Sequence, residues 1–356
     1  MLSNLLEIFL LIKYPLIGLF FIFAIISFYW DPIFKFLNLK TYNNIQRVHT
    51  NEVSRLGGLI IYLFFWSLNL LDLIENKLFF NILISAIPFV LISLKEDLFH
   101  NSTPKNRLLL MIISCLIFFY INPVTFPVID IPFIGRVISL YPVSIIFFTF
   151  SILVIMNGTN LIDGLNGLFG FSSFIQLLSI YILAFLVNDT EIKYLIGFFI
   201  IPICIFLFFN YPFGKIFAGD LGAYFYGYTN SILVICFFGR HPELLTWYAL
   251  IILFYPSMEL LFSFMRKKFK NVDPFSPDDN HLHSYIYKCL KRRFTKIYAN
   301  SIATLFYIPL FILILLINYF HQFISFYYLL MILIFFSLLY IFSFIYFVLR
   351  FYDHKK

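Results

Sequence analysis

Apolar runs of about 20 residues recur along the whole chain, and this feature constrains the fold more than any other. Each run is long enough to cross roughly 30 Å of hydrocarbon as a helix. Inside lipid the backbone must satisfy its own hydrogen bonds, so a spanning segment is a helix or part of a closed barrel. The runs are continuous rather than alternating, and only 12% of the 356 residues are charged. The sequence therefore predicts an all-α, polytopic transmembrane protein that forms a single domain over residues 1–356.

We predict about eleven spans and expect the first one to be retained rather than removed as a signal peptide. The segment 123–140 has room for a re-entrant piece. The predicted spans are 10–30, 57–74, 78–94, 108–122, 141–156, 168–187, 194–210, 221–239, 245–265, 299–318 and 326–349.

Basic residues are concentrated on one side of this layout. Of the 25 Lys and Arg residues, 20 fall in the C-terminal tail and in the loops 31–56, 95–107, 157–167, 211–220 and 266–298. An excess of Lys and Arg marks the cytoplasmic side of a membrane protein. The N-terminus is therefore expected outside and the C-terminus in the cytoplasm, with these loops forming the active face.

Four carboxylates lie at the mouths of predicted spans on that face: Glu96, Asp97, Asp163 and Asp220. At the centre of isolated membrane helices they would together cost roughly 10 kcal/mol, so they are expected in a wet or ion-bound cavity. Any one of them could instead cap a helix or anchor it at the interface. Carboxylates beside Asn and Gly suit a hard cation with oxygen ligands, and we predict Mg²⁺, or Mn²⁺ in its place.

Positive charge accompanies these acids. Lys105, Arg107, Lys215 and the Arg47–Arg55 pair lie on the same face. A metal and basic side chains around one pocket suit a diphosphate substrate. Nothing in the sequence indicates a nucleic-acid partner.

Three further features allow two interpretations each. His281-Leu-His283 could be a zinc pair, but no third ligand has suitable spacing, so contact with phosphate or substrate is favoured. Glu259 is either a helix–helix contact or a site residue. The basic and aromatic segment 283–298 predicts an interfacial helix on anionic lipid, although Lys and Arg at helix ends can be topology signals alone.

Five motifs follow one another along roughly residues 45–290: RVHTNEVSRLGG, KEDLFHNSTPKNRLL, NGTNLIDGLNGL, FNYPFGKIFAGDLG and SPDDNHLH. In this order they resemble the motifs of the polyprenyl-phosphate N-acetylhexosamine-1-phosphate transferases. The resemblance implies that undecaprenyl phosphate attacks the β-phosphate of a UDP-N-acetylhexosamine. It also implies that the products are a lipid diphosphate sugar and UMP, and that Mg²⁺ is required.

The resemblance also implies roles for the acidic positions. Asp97 would orient or deprotonate the lipid phosphate, beside Glu96, which stands where an Asp is more usual. Asp220 would bind Mg²⁺. Asn160 and Asp163 would lie on the nucleotide and metal side.

Other positions carry over or depart from the family pattern. Asn166 occupies a place often held by a second Asp, which suggests a polar contact there. Asn210 and Lys215 match nucleotide- and phosphate-side positions. His281 and His283 match a motif expected to contact the sugar-phosphate.

Small departures favour a branch of the family. Ser284 follows His283, where the peptidoglycan enzyme has further histidines. With Glu96 and Asn166, this favours the branch that starts surface polysaccharides such as O-antigen. The phospho-N-acetylmuramoyl-pentapeptide transferase of peptidoglycan synthesis is the alternative within the family. A secondary transporter or a non-catalytic scaffold are alternatives outside it, and dimerisation stays open.

Overall fold

The computed structural model describes residues 2–36, 53–274, 276 and 278–353. It is 78% helical, and the described residues contain no strand. The helices are α1 (Leu2–Leu11), α2 (Lys13–Phe36), α3 (Gly57–Leu70), α4 (Lys77–Phe99), α5 (Pro104–Ile121), α6 (Ile134–Ile138), α7 (Tyr141–Ile162), α8 (Leu168–Leu186), α9 (Thr190–Asn210), α10 (Gly219–Arg240), α11 (Trp247–Ile252), α12 (Phe254–Phe269), α13 (Leu282–Leu290), α14 (Lys296–Leu305), α15 (Ile308–Tyr319) and α16 (Phe326–Asp353).

The predicted all-α, polytopic class is confirmed, because every predicted span coincides with helix. In the described part of the chain, eight helical segments are long and apolar enough to cross a membrane. Three predicted spans are less regular. The first is bent by 77° between α1 and α2, α3 has only 14 residues, and the span 245–265 is broken at Leu253. The number of spans and the sides of the two termini therefore stay predictions.

Several helices run further than the sequence predicted. α4 continues to Phe99 and α7 to Ile162, so the loops predicted at 95–107 and 157–167 are shorter than expected. Polar residues near the end of α7 are accommodated because their side chains bond back to the helix. Asn157 donates to the Leu153 carbonyl, and Thr159 donates to the Ile155 carbonyl. Polarity alone therefore did not mark the end of this helix.

Helix α10 is the centre of the molecule. All of its residues except Arg240 are buried, and it packs mainly against α7, α4 and α3. Small residues permit this close approach: a Cβ on Gly58 would strike the backbone of Gly222, and one on Gly227 would strike Met156. α16, by contrast, leaves most of its surface open, as expected for a lipid-facing helix. Because α10 is buried among these helices, its N-terminus has a fixed position relative to α3, α4 and α7.

Short loops attach to the start of α10. Ser54 forms an isolated parallel bridge with Ile216, and the N–H groups of Gly57 and Gly58 donate to the carbonyls of Phe217 and Ala218. The ends of α4 and α7 reach the same place. We call this the motif end of the bundle, and the other end, which carries Asp189, Arg240 and His241, the opposite end.

The predicted interfacial helix at 283–298 is wrong in its extent. α13 ends at Leu290, and a turn over 291–295 leads into α14. α13 buries Leu282, Tyr285 and Ile286, and it packs against α16 and α14. The chain must turn after α13 for α14 and α15 to continue into the bundle, so one continuous helix is incompatible with this packing.

Candidate active site

Asp97 caps the N-terminus of α10 from the neighbouring helix α4. Its side chain is 1% exposed, and its two oxygens accept hydrogen bonds from the backbone N–H groups of Asp220 (2.8 Å) and Leu221 (3.0 Å). These N–H groups have no partner within their own helix, and the helix dipole favours an anion there. Gly219 has φ +71°, and a Cβ there would meet the Asp97 carboxylate at 2.6 Å. Asp97 thus holds the segment that carries Asp220.

Asp220 is bound by two arginines from different segments. Arg55 lies 3.3 Å from one carboxylate oxygen, and Arg107 of α5 contacts the other. Arg55 also approaches Asp97, with its Nε 3.8 Å from a carboxylate oxygen. Each guanidinium has five N–H donors, so both arginines keep donors for a further anion. Arg47, the other member of the predicted basic pair, lies outside the described residues.

Asp163 and Asn160 reach the same place from the end of α7. Asp163 is half-buried, and burial is the main reason that its pKa lies well above the ordinary value. Arg55 and the Gly219 N–H oppose this rise in the pKa, whereas the neighbouring Asp97 and Asp220 add to it. The Asn160 amide donates to the Tyr224 hydroxyl at 3.1 Å. Asp97, Asp163, Asp220 and Arg107 therefore lie together, and their predicted roles stay predictions.

Glu96 and Lys105 lie on either side of the turn between α4 and α5. One Glu96 oxygen accepts from both the backbone N–H (2.9 Å) and the hydroxyl (2.6 Å) of Ser102, closing the turn between α4 and α5. Lys105 is exposed in the first turn of α5. The predicted roles of both residues in catalysis or substrate binding stay predictions.

Two of the predicted polar positions hold loops together. Asn210 accepts from the Gly167 N–H (2.5 Å) and donates to the Ile216 carbonyl (2.7 Å). Asn166 is fully buried, and its amide donates to the Pro212 carbonyl. Its backbone N–H and carbonyl bond to the side chains of two α14 residues, Asn300 and Thr304. The expected polar contact of Asn166 is therefore structural.

Lys215 is exposed at the motif end, and its Nζ lies 4.5 Å from the ring centroid of Phe28 in α2. This is a cation–π contact, which leaves the ammonium donors open to other ligands.

His281 and His283 are both buried beside the end of α7. Their rings are parallel with centroids 5.4 Å apart, and both face Glu259 of α12. His283 abuts Gly164, next to Asp163. The predicted contact of both histidines with the sugar-phosphate stays a prediction.

Sequence reasoning missed two residues and left a third undecided. It did not select Tyr224, although this residue lies one turn after Asp220 on α10, and it did not select Ser102. Glu259 is the only charged residue in 245–265. A lone carboxylate in an apolar run is the signal that could have identified it as a site residue.

The donor chemistry of the motif end fits Mg²⁺. Asp163 and Asp220 supply carboxylate oxygens, and one or two carboxylates are typical of a protein site that also uses phosphate oxygens. Mutual repulsion among three nearby carboxylates favours an added cation. Across the described ranges no group of three or more His, Cys, Asp or Glu side chains has an arrangement that could hold a metal by itself. The site would thus need ligands from a substrate or water.

The chain is similar to known transferases. The model of the glycosyl transferase family 4 matches residues 79–238. An undecaprenyl-phosphate alpha-N-acetylglucosaminyl 1-phosphate transferase of Thermotoga maritima is 29% identical over 267 residues, which cover 73% of this chain and 78% of that protein.

Two further relatives are similar over shorter regions. A Bacillus subtilis protein named as a probable undecaprenyl-phosphate N-acetylglucosaminyl 1-phosphate transferase is 27% identical over 67% of this chain and 66% of its own length. The phospho-N-acetylmuramoyl-pentapeptide-transferase of Streptococcus uberis is 29% identical over 51% of this chain and 55% of its own.

Proposed function

Because the chain belongs to the glycosyl transferase family 4, we propose that it transfers N-acetylhexosamine 1-phosphate from a UDP-sugar to undecaprenyl phosphate. An oxygen of the lipid phosphate forms a bond to the β-phosphorus of the UDP-sugar. The bond from that phosphorus to the bridging oxygen breaks, and its electron pair leaves with UMP. The names of the Thermotoga and Bacillus relatives support this reaction.

The observation that carries the proposal is the convergence of Asp220, Arg55 and Arg107 at the N-terminus of α10. Guanidinium groups bind phosphate oxygens through paired hydrogen bonds. Cations aimed at phosphate oxygens stabilise the charge that develops during transfer. A diphosphate would share the two arginines with Asp220, and the exposed Lys215 is within the same end of the bundle.

The remaining residues divide into binding and positioning roles. Asp163 and Asp220 would hold Mg²⁺, and Mn²⁺ could replace it. The bound ion would neutralise charge on the diphosphate oxygens. Asp97 would keep Asp220 oriented through the backbone of α10, and Asn160 would contact the nucleotide side.

The proposed membrane location and the proposed pathway branch rest on the distribution of basic residues and on individual motif positions. We place the protein in the bacterial inner membrane with the motif end facing the cytoplasm, because most Lys and Arg residues lie on that side. Glu96 and Ser284 favour the start of surface polysaccharide synthesis over the peptidoglycan reaction. Because the Streptococcus relative is named as a peptidoglycan enzyme, the test also includes the peptidoglycan donor.

The test is an assay of purified protein with undecaprenyl phosphate, Mg²⁺ and a panel of radiolabelled donors. The panel contains UDP-GlcNAc, UDP-GalNAc, UDP-FucNAc, UDP-QuiNAc and UDP-MurNAc-pentapeptide. We expect a lipid-linked product and UMP with one of the simple sugars. Product from the pentapeptide donor alone would shift the assignment to peptidoglycan synthesis. No product with any donor would refute the transferase.

A secondary transporter is less well supported. Transport sites usually lie near the bilayer midplane, at broken helices related by internal repeats. Asp97 and Asp220 lie at ends of α4 and α10, and the sequence has no repeat. An ion-coupled sugar flux in proteoliposomes would revive this alternative.

A further inference from the structure

A second buried carboxylate lies outside the cluster around Asp220. Glu259 of α12 is 1% exposed, and it faces the two histidines of the segment that leads into α13. A carboxylate buried this completely must be paired, since an unpaired buried charge is strongly destabilising. The question is whether Glu259 only ties α12 to α13 or also directs a histidine toward the motif end.

His281 has both ring nitrogens engaged by carboxylates. Its Nδ1 lies 3.0 Å from one Glu259 oxygen, and its Nε2 lies 3.3 Å from Asp278. Asp278 is itself bound by Arg266 at 2.6 Å. Burial lowers the pKa of His281, but the two carboxylates outweigh this effect and raise the pKa to about 9, which favours the charged imidazolium. No ring nitrogen of His281 is left for a substrate.

His283 has the opposite arrangement. Its Nδ1 faces the second Glu259 oxygen at 3.9 Å, and its ring is parallel to that of His281. Its Nε2 lies 3.2 Å from the position of a Cβ on Gly164, so this nitrogen points at the backbone next to Asp163. Burial lowers the pKa of His283, which therefore is the neutral histidine of the pair. At 3.9 Å the Glu259 oxygen forms no hydrogen bond with this nitrogen, so it acts on the ring through its charge. A neutral ring that carries its proton on Nδ1, the nitrogen nearer the carboxylate, presents Nε2 as an acceptor.

We infer that Glu259 is a positioning residue of the proposed transfer, which pins His281 and orients His283 so that only the His283 Nε2 reaches the substrate at the Asp163–Gly164 turn. The two histidines belong to the SPDDNHLH motif, whereas Glu259 lies outside it, on α12. Glycine at 164 leaves room for the ring, whereas a side chain there would meet it. The inference rests on the proposed function, because the substrate is the UDP-sugar.

A double-mutant cycle tests this inference. Glu259→Gln keeps the shape and removes the charge, and we expect kcat/KM to fall about 10- to 100-fold, the effect of losing a hydrogen bond to a charged group. His283→Gln should fall by at least as much. If Glu259 acts through His283, the double variant should be no worse than His283→Gln alone. Independent, multiplying losses would overturn the positioning role and leave a structural tie.

Two controls separate this effect from general damage. Glu191→Gln removes another carboxylate, one that pairs with Arg240 at the opposite end, and should leave turnover unchanged. Glu259→Asp keeps the charge and should recover part of the activity lost in Glu259→Gln. Equal losses in Glu259→Asp and Glu259→Gln, with equally lowered melting temperatures, would also contradict the inference.

A spectroscopic measurement is independent of turnover. In protein labelled with ¹⁵N-histidine, we expect an imidazolium signal at neutral pH that disappears in His281→Gln and becomes neutral in Glu259→Gln. The His283 signal should report a neutral ring whose tautomer also changes in Glu259→Gln. If wild-type protein has no transferase activity but shows these signals, the proposed function fails while the Glu259–histidine arrangement stands. A neutral His281 in the wild type would refute the arrangement itself.

Discussion

The motif end contains two buried polar clusters, in which the carboxylates are paired with different kinds of groups. In the first, which we call the arginine cluster, Asp97 and Asp220 are satisfied by backbone N–H groups, Arg55 and Arg107. In the second, the histidine cluster, Glu259 and Asp278 form ion pairs with His281 and Arg266. Arginine stays protonated at any accessible pH, whereas imidazole does not.

The basic groups of the arginine cluster therefore have a fixed charge, whereas those of the histidine cluster include imidazoles whose charge depends on pH. The guanidinium groups of the arginine cluster keep their charge over the whole physiological range, which suits the binding of a diphosphate. The histidine cluster depends on the protonation of one ring and on the orientation of another. Substitutions in the two clusters should therefore differ in size, in pH dependence and in which kinetic constant changes.

The largest effect is expected from Asp220→Ala. This change removes a proposed Mg²⁺ ligand and the partner of both arginines, and we expect turnover to fall about 100- to 1,000-fold or more. Activity and size-exclusion profiles in detergent would be measured together, since the protein should stay folded. Normal turnover in this variant would exclude Asp220 from the mechanism.

Asp97→Asn comes next and distinguishes a cap from a general base. Asparagine can accept from only one of the two N–H groups, and its NH₂ would face the other. Leaving one buried N–H unpaired costs about 1–3 kcal/mol. We therefore expect a lower melting temperature together with a fall in kcat.

The matched control for that variant is the neighbouring Glu96→Gln, which changes a carboxylate that accepts hydrogen bonds from Ser102. It should lower neither quantity as much. A large loss of kcat in Asp97→Asn with an unchanged melting temperature would instead support a direct role of Asp97 in proton transfer.

The third prediction concerns the pH dependence of stability. The pKa of His281 is raised from 6.5 to about 9 in the folded protein. Its ion pairs therefore stabilise the fold fully below about pH 6.5, and this contribution is lost as the pH rises through 9. The free energy of unfolding should fall by on the order of 3 kcal/mol over that interval. The charged and titratable groups that face His281 directly or through Asp278 are Glu259, Asp278, His283, Arg266 and Lys267.

Melting temperatures in detergent between about pH 6 and pH 10 would test this expectation. His281→Gln should melt at a lower temperature at the acidic end and show a flatter profile. Parallel profiles for the variant and the wild type would mean that His281 is not charged in the folded protein.

The smallest effect is expected from Arg292→Ala, which lies outside both clusters. Arg292 donates to the Phe351 carbonyl at an exposed position after α13. Surface substitutions of this kind usually change stability by about 0.5 kcal/mol or less. Turnover should be unchanged with neutral lipids, and a large loss would give this basic turn a role in the reaction.

Much of the architecture was predictable from hydropathy. Each predicted span is helical, and the motifs do meet at one end of the bundle. The limits of the loops were less predictable: α7 absorbs half of the polar segment 157–168, because Asn157 and Thr159 bond back to their own helix. The break at Leu253 also has no signal in an apolar stretch that reads as one span.

The sequence by itself determined the class of structure, since a long apolar run in lipid must satisfy its backbone locally, and it selected the acidic residues that meet at the motif end. Only the tertiary structure decided what each carboxylate does. Asp97 and Asp220 are 123 residues apart, and their capping contact depends on how α4 packs against the start of α10. Glu259 likewise gained its histidine partners because residues 281 and 283, at the start of α13, lie beside α12. The helix-forming tendency of an apolar run is local, whereas the partner of a buried charge is set by contacts between distant segments.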